Sequence, residues 1–275
     1  MCIYLYVYIY VYIHKKGAFI MVDIISIANQ KGGVGKSTTA LALSAGLAYS
    51  NFKVLCLDSQ GNLTSSVEYD KNQSQEFEYS CLDVLSGNVN IQETIVHNKL
   101  FDIIPSNPNL ATADIMFTKV GKEFILKEAL EPILNDYDYI IIDTPPALGI
   151  ITVNALTCCT KVLIPAQADV YSMQGISQLY DTIETVKKYC NPSISIMGIL
   201  LTRYNSRTVI SRDIASTLED IAISLNSKLF NIKIRECVAI KEAQTVHKDI
   251  FSYALKSNAS KDYTDLVNEI LRKDI

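Results

Sequence analysis

One ten-residue stretch constrains this chain more than any other. The apolar run Ile24–Ala28 leads into Asn29-Gln30-Lys31-Gly32-Gly33-Val34-Gly35-Lys36-Ser37-Thr38, and a segment of helical spacing, Ser37–Tyr49, follows at once. A glycine-rich turn between strand and helix lets successive backbone N–H groups converge on phosphate oxygens, and the helix N-terminus adds partial positive charge there. Lys36 at this spacing reaches the β- and γ-phosphates of a nucleotide, and the Ser37 hydroxyl takes one position on Mg²⁺. Gly32, Gly33, Val34, Gly35 and Thr38 complete the cradle. Gln30 stands where the common G-x-x-x-x-G-K-[ST] pattern begins with glycine, and Lys31 adds a lysine at the start of the loop.

The rest of the chain repeats the same alternation. Strand-length apolar runs occur at Val54–Leu57, Phe101–Ile104, Tyr139–Ile142, Val162–Pro165 and Ile196–Leu201. Helical spacing occurs between most of them, at Gly121–Leu134, Gln174–Tyr189 and Ser211–Leu225. Strands that are apolar at every position are buried on both faces, as in a parallel sheet covered by helices. The expected fold is therefore α/β: one doubly wound, mostly parallel sheet with helices on both faces, filling residues 21–275 as a single domain. The polar stretch Glu68–Tyr79 reads as a surface excursion.

Composition narrows the class further. Of 275 residues, 49% are hydrophobic, too many for a disordered chain. The seven cysteines include no C-x-x-C, which argues against a disulfide framework or a zinc knuckle and favours reduced thiols in a cytosolic protein. Net charge is −4, but residues 200–275 carry 12 Lys/Arg against 10 Asp/Glu. That mild excess would not by itself announce nucleic-acid binding. Met1 to Ile13 reads MCIYLYVYIYVYI, with neither the basic leader nor the cleavage site of a secretory signal, and it is too short to span a bilayer as a helix. Such an alternation is what a TATATA-type DNA repeat encodes. Residues 1–20 are read as a non-native or disordered extension, and Met21 as the functional start.

Two aspartates close strands on the side where an open α/β sheet holds its ligands. Asp58 opens Asp58-Ser59-Gln60-Gly61-Asn62-Leu63-Thr64, and Asp143 opens Asp143-Thr144-Pro145-Pro146. A carboxylate at a strand end can hold Mg²⁺ or orient an attacking water; taken alone, it can equally form a turn or cap a helix.

These three motifs, in this order, resemble the ParA/MinD group of P-loop ATPases with a deviant Walker A loop, and the ParA/Soj-type partition ATPases in particular. The resemblance implies ATP and Mg²⁺ as cofactors and an ATP-sandwiched homodimer. It gives Lys31 the role of the signature lysine that reaches the partner's phosphates, as an arginine finger does. By the same resemblance Lys31, Lys36 and Asp58 are catalytic, with Asp58 positioning the water, and Ser37, Asp58 and Asp143 serve the metal. Ser59 stands where the family usually has proline.

Downstream, Thr202-Arg203-Tyr204-Asn205 resembles the family's adenine-side segment, with Thr202 and Asn205 as base contacts, although a plain turn accounts for these residues equally well. Ile234-Arg235-Glu236-Cys237-Val238-Ala239 resembles a further family stretch, with Arg235 at the nucleotide and Ala239 in place of an arginine that relatives use against DNA. Lys241, Lys233, Arg235, Lys248 and Arg207 form either a phosphate-facing patch or a scattered solvated face.

The resemblance implies non-specific DNA and a ParB-like centromere-binding protein as partners, in a cytoplasmic, nucleoid-associated setting. The rival within the group is a MinD-like membrane-associated regulator of division. The segment Lys261–Ile275 is amphipathic but carries three basic against four acidic residues, so helix packing rather than stable membrane association is expected.

Overall fold

The computed structural model describes residues 22–67, 77–107, 109–110, 117 and 120–272. The extension at residues 1–20 and most of the polar excursion after Glu68 lie outside them. Six strands form one sheet: β1 (Asp23–Ile27), β2 (Val54–Asp58), β3 (Asp102–Ile104), β4 (Tyr139–Asp143), β5 (Lys161–Ala166) and β6 (Ser195–Leu201). Their order is β3-β2-β4-β1-β5-β6, and every neighbouring pair is parallel.

Each apolar run became a strand because both of its faces are covered. Ile24 of β1 and Ile140 and Ile142 of β4 pack on one side, with helices α2 (Cys81–Leu85), α4 (Ile125–Leu130), α5 (Ile150–Cys158), α6 (Val170–Tyr189) and α7 (Val209–Ser224). Ile25, Ile27, Tyr139 and Ile141 face the other way, against α1 (Lys36–Tyr49), α9 (Ile250–Ala254) and α10 (Asn258–Leu271). The period-two alternation therefore separates two apolar cores rather than a core from solvent. Short α3 (Ile91–Thr94) and α8 (Val238–Thr245) complete the helices used here.

Leu266, Val267, Ile270 and Leu271 of α10 are buried, so the amphipathic segment packs its apolar face on the domain. Gly46 makes room for it: a Cβ there would lie 2.7 Å from Val267 Cγ2. The expected helix Gly121–Leu134 is instead a 3₁₀ turn at Lys122–Phe124, α4, and a second 3₁₀ turn at Glu131–Ile133. Pro132 lacks the N–H that would carry α4 onward.

Both sheet edges are covered. On β6, Ile199 N donates to Lys228 O and Ile234 N to Leu201 O, while Phe230 N returns a bond to Ile199 O. On β3, Ile103 and Val96 exchange both backbone bonds in an antiparallel bridge. Among the described residues no helix is long and apolar enough to cross a membrane.

Candidate nucleotide site

β1 lies at the centre of the sheet, between β4 and β5. Its last residue, Ile27, pairs in register with Asp143, and Asp143 pairs with Asp58 across β4 and β2. The glycine loop and both aspartates therefore meet at the carboxyl end of the sheet, as the sequence implied.

Gly33 and Gly35 have φ of +74° and +87°. L side chains rarely adopt such backbone, so the glycines are a requirement of the turn. Gly35 is the N-cap residue of α1, and among the described residues no side chain caps that end. The first N–H groups of α1 keep their partial positive charge for a ligand. Two bonds shape the loop from inside: Thr202 Oγ1 donates to Val34 O at 2.8 Å, and Lys36 Nζ donates to Lys31 O at 3.2 Å. Lys36 is buried, which lowers its pKa, while the Asp143 carboxylate pulls it part-way back.

Asp58 and Asp143 are both fully buried but are treated in opposite ways. Asp58 Oδ1 accepts from Gln60 N (2.8 Å) and Gly61 N (2.7 Å), and Oδ2 accepts from both Thr64 N and Thr64 Oγ1 at 2.6 Å. Its lone-pair sites, about four in a carboxylate, are all occupied by its own loop. Here Asp58 is the turn former, and its position leaves no lone pair for a cation or a water. Among the described residues neither Asp143 oxygen has a hydrogen-bond partner. Burial and the Asp58 charge push its carboxyl up to about 8, against the lowering influence of the Ser37 hydroxyl and the Lys36 ammonium. An orphaned, buried carboxylate beside a hydroxyl is a set of hard oxygen donors, and it fits Mg²⁺.

Lys31 is held from several directions. Its Nζ pairs with Asp169 Oδ2 and lies 3.4 Å from Gln167 Oε1, and its N–H donates to Asn29 Oδ1 at 2.9 Å. Buried Asn29 is itself anchored, its Nδ2 donating to Pro165 O at 2.7 Å, and Gln167 Nε2 donates to Gly33 O at 3.1 Å. Although burial pushes the Asp169 carboxyl up, Lys31 and the Ser172 N–H hold it below its ordinary value. The same carboxylate caps α6 through Ser172 N, which is why α6 starts at Val170 rather than at Gln174. Gly175 lets α6 come this close, since a Cβ there would sit 2.9 Å from Asn29 Oδ1. Asn29, Gln167, Asp169 and Gly175 were missed in the sequence. Asp169, just ahead of a long amphipathic segment, carried a helix-cap signal that could have marked it.

Beyond the loop lies an open cleft lined by Gly33, Gly35, Thr38, Thr202, Arg203, Arg235, Cys237 and Lys241. Thr202 lines it, although its hydroxyl is committed to backbone carbonyls. Arg235 also lines it, but its guanidinium is bound to Asp262 on α10, with Nε at 3.0 Å from Oδ2 and Nη2 also on that carboxylate. Asn205 does not line the cleft. Its Oδ1 accepts from Arg207 N at 3.1 Å, so it forms its own turn.

Residues 22–196 match the family described as an AAA domain. The sporulation initiation inhibitor protein Soj of Bacillus subtilis is 38% identical over 91% of this chain and 98% of its own length. The chain belongs to the ParA/Soj family of P-loop ATPases. Among solved structures, a putative plasmid partition protein of Borrelia burgdorferi bound to AMPPNP superposes with a TM-score of 0.79 at 27% identity, covering 92% of this chain and 99% of that one. A Mycobacterium smegmatis protein titled cobyrinic acid a,c-diamide synthase, with ADP and magnesium, superposes at 0.77 and 31% identity, covering 92% and 95%. A family member with this loop is an ATP hydrolase.

Proposed function

We propose that this chain is a partition ATPase of the Soj/ParA type. It binds Mg-ATP, pairs with a second copy across the nucleotides, holds duplex DNA without regard to sequence, and releases it on hydrolysis to segregate a plasmid or chromosome. A ParB-like centromere-binding protein is the expected stimulator, with the nucleoid as the cytoplasmic site of action. The observation that carries the reading is the meeting of an uncapped α1 N-terminus, buried Lys36 and orphaned Asp143 at one end of the sheet.

In this reading the N–H groups of residues 32–38 hold the phosphates and Lys36 neutralises the β- and γ-oxygens. Ser37 and Asp143 would hold Mg²⁺, which supplies charge stabilisation on the phosphoryl oxygens. Asp58 orients the attacking water once a lone pair is freed. Lys31 leaves Asp169 for the partner's phosphates. The Lys31–Asp169 pair is only partly buried, with side chains 24% and 34% exposed, and such pairs contribute about 0–1 kcal/mol. The exchange is therefore energetically cheap beside a charge-assisted bond to phosphate.

For DNA, Lys241, Lys248, Arg207 and Arg235 of the suggested patch are exposed, and Lys233 is half-buried. Arg235 contributes less because Asp262 neutralises it. Lys233 lies over the Tyr204 ring at 4.9 Å. The deciding measurement is binding to random duplex DNA and to anionic liposomes, each with ATP, with ADP and without nucleotide, over a salt series. ATP-dependent DNA binding that weakens with salt, by a log–log slope of about −0.9 per phosphate contacted, supports the reading. ATP-dependent liposome binding without DNA binding would replace it with the MinD-like alternative.

A further inference from the structure

His247 stands in the turn between α8 and α9 with φ of +56°, in the left-handed region. Its N–H donates to Gln244 O and the next N–H, of Lys248, donates to Ala243 O, so it occupies the place after a helix end where glycine is normally found. A β-substituted residue in that backbone is disfavoured. The histidine ring reaches across the molecule, where Nδ1 lies 2.6 Å from the carbonyl oxygen of Ser65. A carbonyl only accepts, so Nδ1 carries the proton and the ring donates.

Ser65 lies in the 3₁₀ turn Thr64–Ser66, directly after the residue that gives Asp58 two of its four hydrogen bonds. A second anchor holds the same turn, since Ser106 N donates to Thr64 Oγ1 at 3.0 Å. At the other end of the connection, α8 reaches the nucleotide loop, where Gln244 Nε2 donates to Thr38 Oγ1 at 3.2 Å. Ile240, Lys241 and Gln244 of α8 line the open cleft beyond the loop. His247 thus links the helix that walls the nucleotide to the turn that closes on Asp58.

We propose that His247 is a positioning residue for Asp58: it straps the Thr64–Ser66 turn in the closed arrangement in which Thr64 fills both lone pairs of Asp58 Oδ2. The proposal rests on the water-orienting role of Asp58 given above. A carboxylate with every lone pair filled cannot hold a water, so at least one Thr64 bond must open before hydrolysis. The strap opposes that opening, and a shift of α8 around a bound nucleotide is the motion that slackens it.

Two substitutions separate the strap from the fold. His247→Gly removes the ring while favouring the observed backbone. His247→Asn tolerates the same backbone and places an amide Nδ2 where the ring holds Nδ1. Backbone hydrogen exchange of the Thr64 amide and steady-state ATP turnover are measured on the full chain. In His247→Gly, Thr64 exchange should quicken and basal kcat should rise about threefold to tenfold, the range that one net hydrogen bond supplies, with KM for ATP unchanged. His247→Asn should return both to wild-type values. Unchanged Thr64 exchange in His247→Gly overturns the proposal, as does faster exchange with turnover at or below wild type. Wild-type turnover in Asp58→Ala would overturn the assignment of Asp58 instead, and the exchange measurement would still decide whether the strap exists.

Discussion

Asp58 and Asp143 sit at the same register on adjacent strands, equally deep, and differ only in what reaches them. Asp58 is followed by a turn whose N–H groups at 60, 61 and 64 point back to it. Asp143 is followed by Thr144, which turns its hydroxyl to Ile27 O, and by two prolines that have no N–H to give. The residues after each strand decide whether its carboxylate becomes the keystone of a loop or stays without a hydrogen-bond partner among the described residues. Burial of a carboxyl is tolerated in the first case by hydrogen bonds and in the second by a raised pKa that favours the neutral form.

Removing the lysine that lowers the Asp143 pKa should have the largest effect. Lys36→Ala should abolish nucleotide binding in calorimetry; retained tight Mg-ATP binding would dismiss the loop as a phosphate site. Next comes the pair itself. Asp58→Ala should lower turnover by about a hundredfold while leaving an ATP dimer stable to gel filtration. It should also destabilise the fold by about 2–4 kcal/mol in urea melts, because three N–H groups and a hydroxyl lose their acceptor. Asp143→Asn should abolish magnesium-dependent turnover without that loss of stability.

The pH dependence sharpens the contrast. Burial and the Asp58 charge push the Asp143 carboxyl from 3.8 up to about 8 in the folded chain, so between these values the folded chain holds a proton that the unfolded chain has lost. Unfolding then releases a proton, and stability falls as pH rises from about 4 through about 8. Thermal midpoints across that range should fall in wild type and fall less in Asp143→Asn; parallel curves would refute the raised pKa. The smallest effect is expected at Asp169→Asn. Freeing Lys31 from its pair should shift ATP-dependent pairing by no more than about fivefold, the size of a partly exposed ion pair.

Much of this was legible before the coordinates. Apolar runs located every strand to within a residue or so, because burial on both faces leaves no polar alternation to confuse the pattern. The glycine loop and the two strand-end aspartates read correctly as neighbours, because parallel strands put all carboxyl ends on one side. What could not be read was contact between elements far apart in the chain. Nothing near Lys31 announces Asp169, Arg235 gives no sign of Asp262, and Asn205 looks like a base reader until its own turn claims the carbonyl. Those pairings depend on which strands are adjacent, and the order β3-β2-β4-β1-β5-β6 is not a property of any local window.

The covered edges of the sheet bear on how copies of this chain can assemble with one another. Lys228–Ile234 lies along β6 and Val96 along β3, so neither flank offers a free ladder of backbone donors and acceptors to a newcomer. Polymers grown by strand addition would first have to peel one of these covers away. Among the described residues, the surfaces left for contact between copies are therefore made of side chains, whose affinity can be tuned one charge at a time.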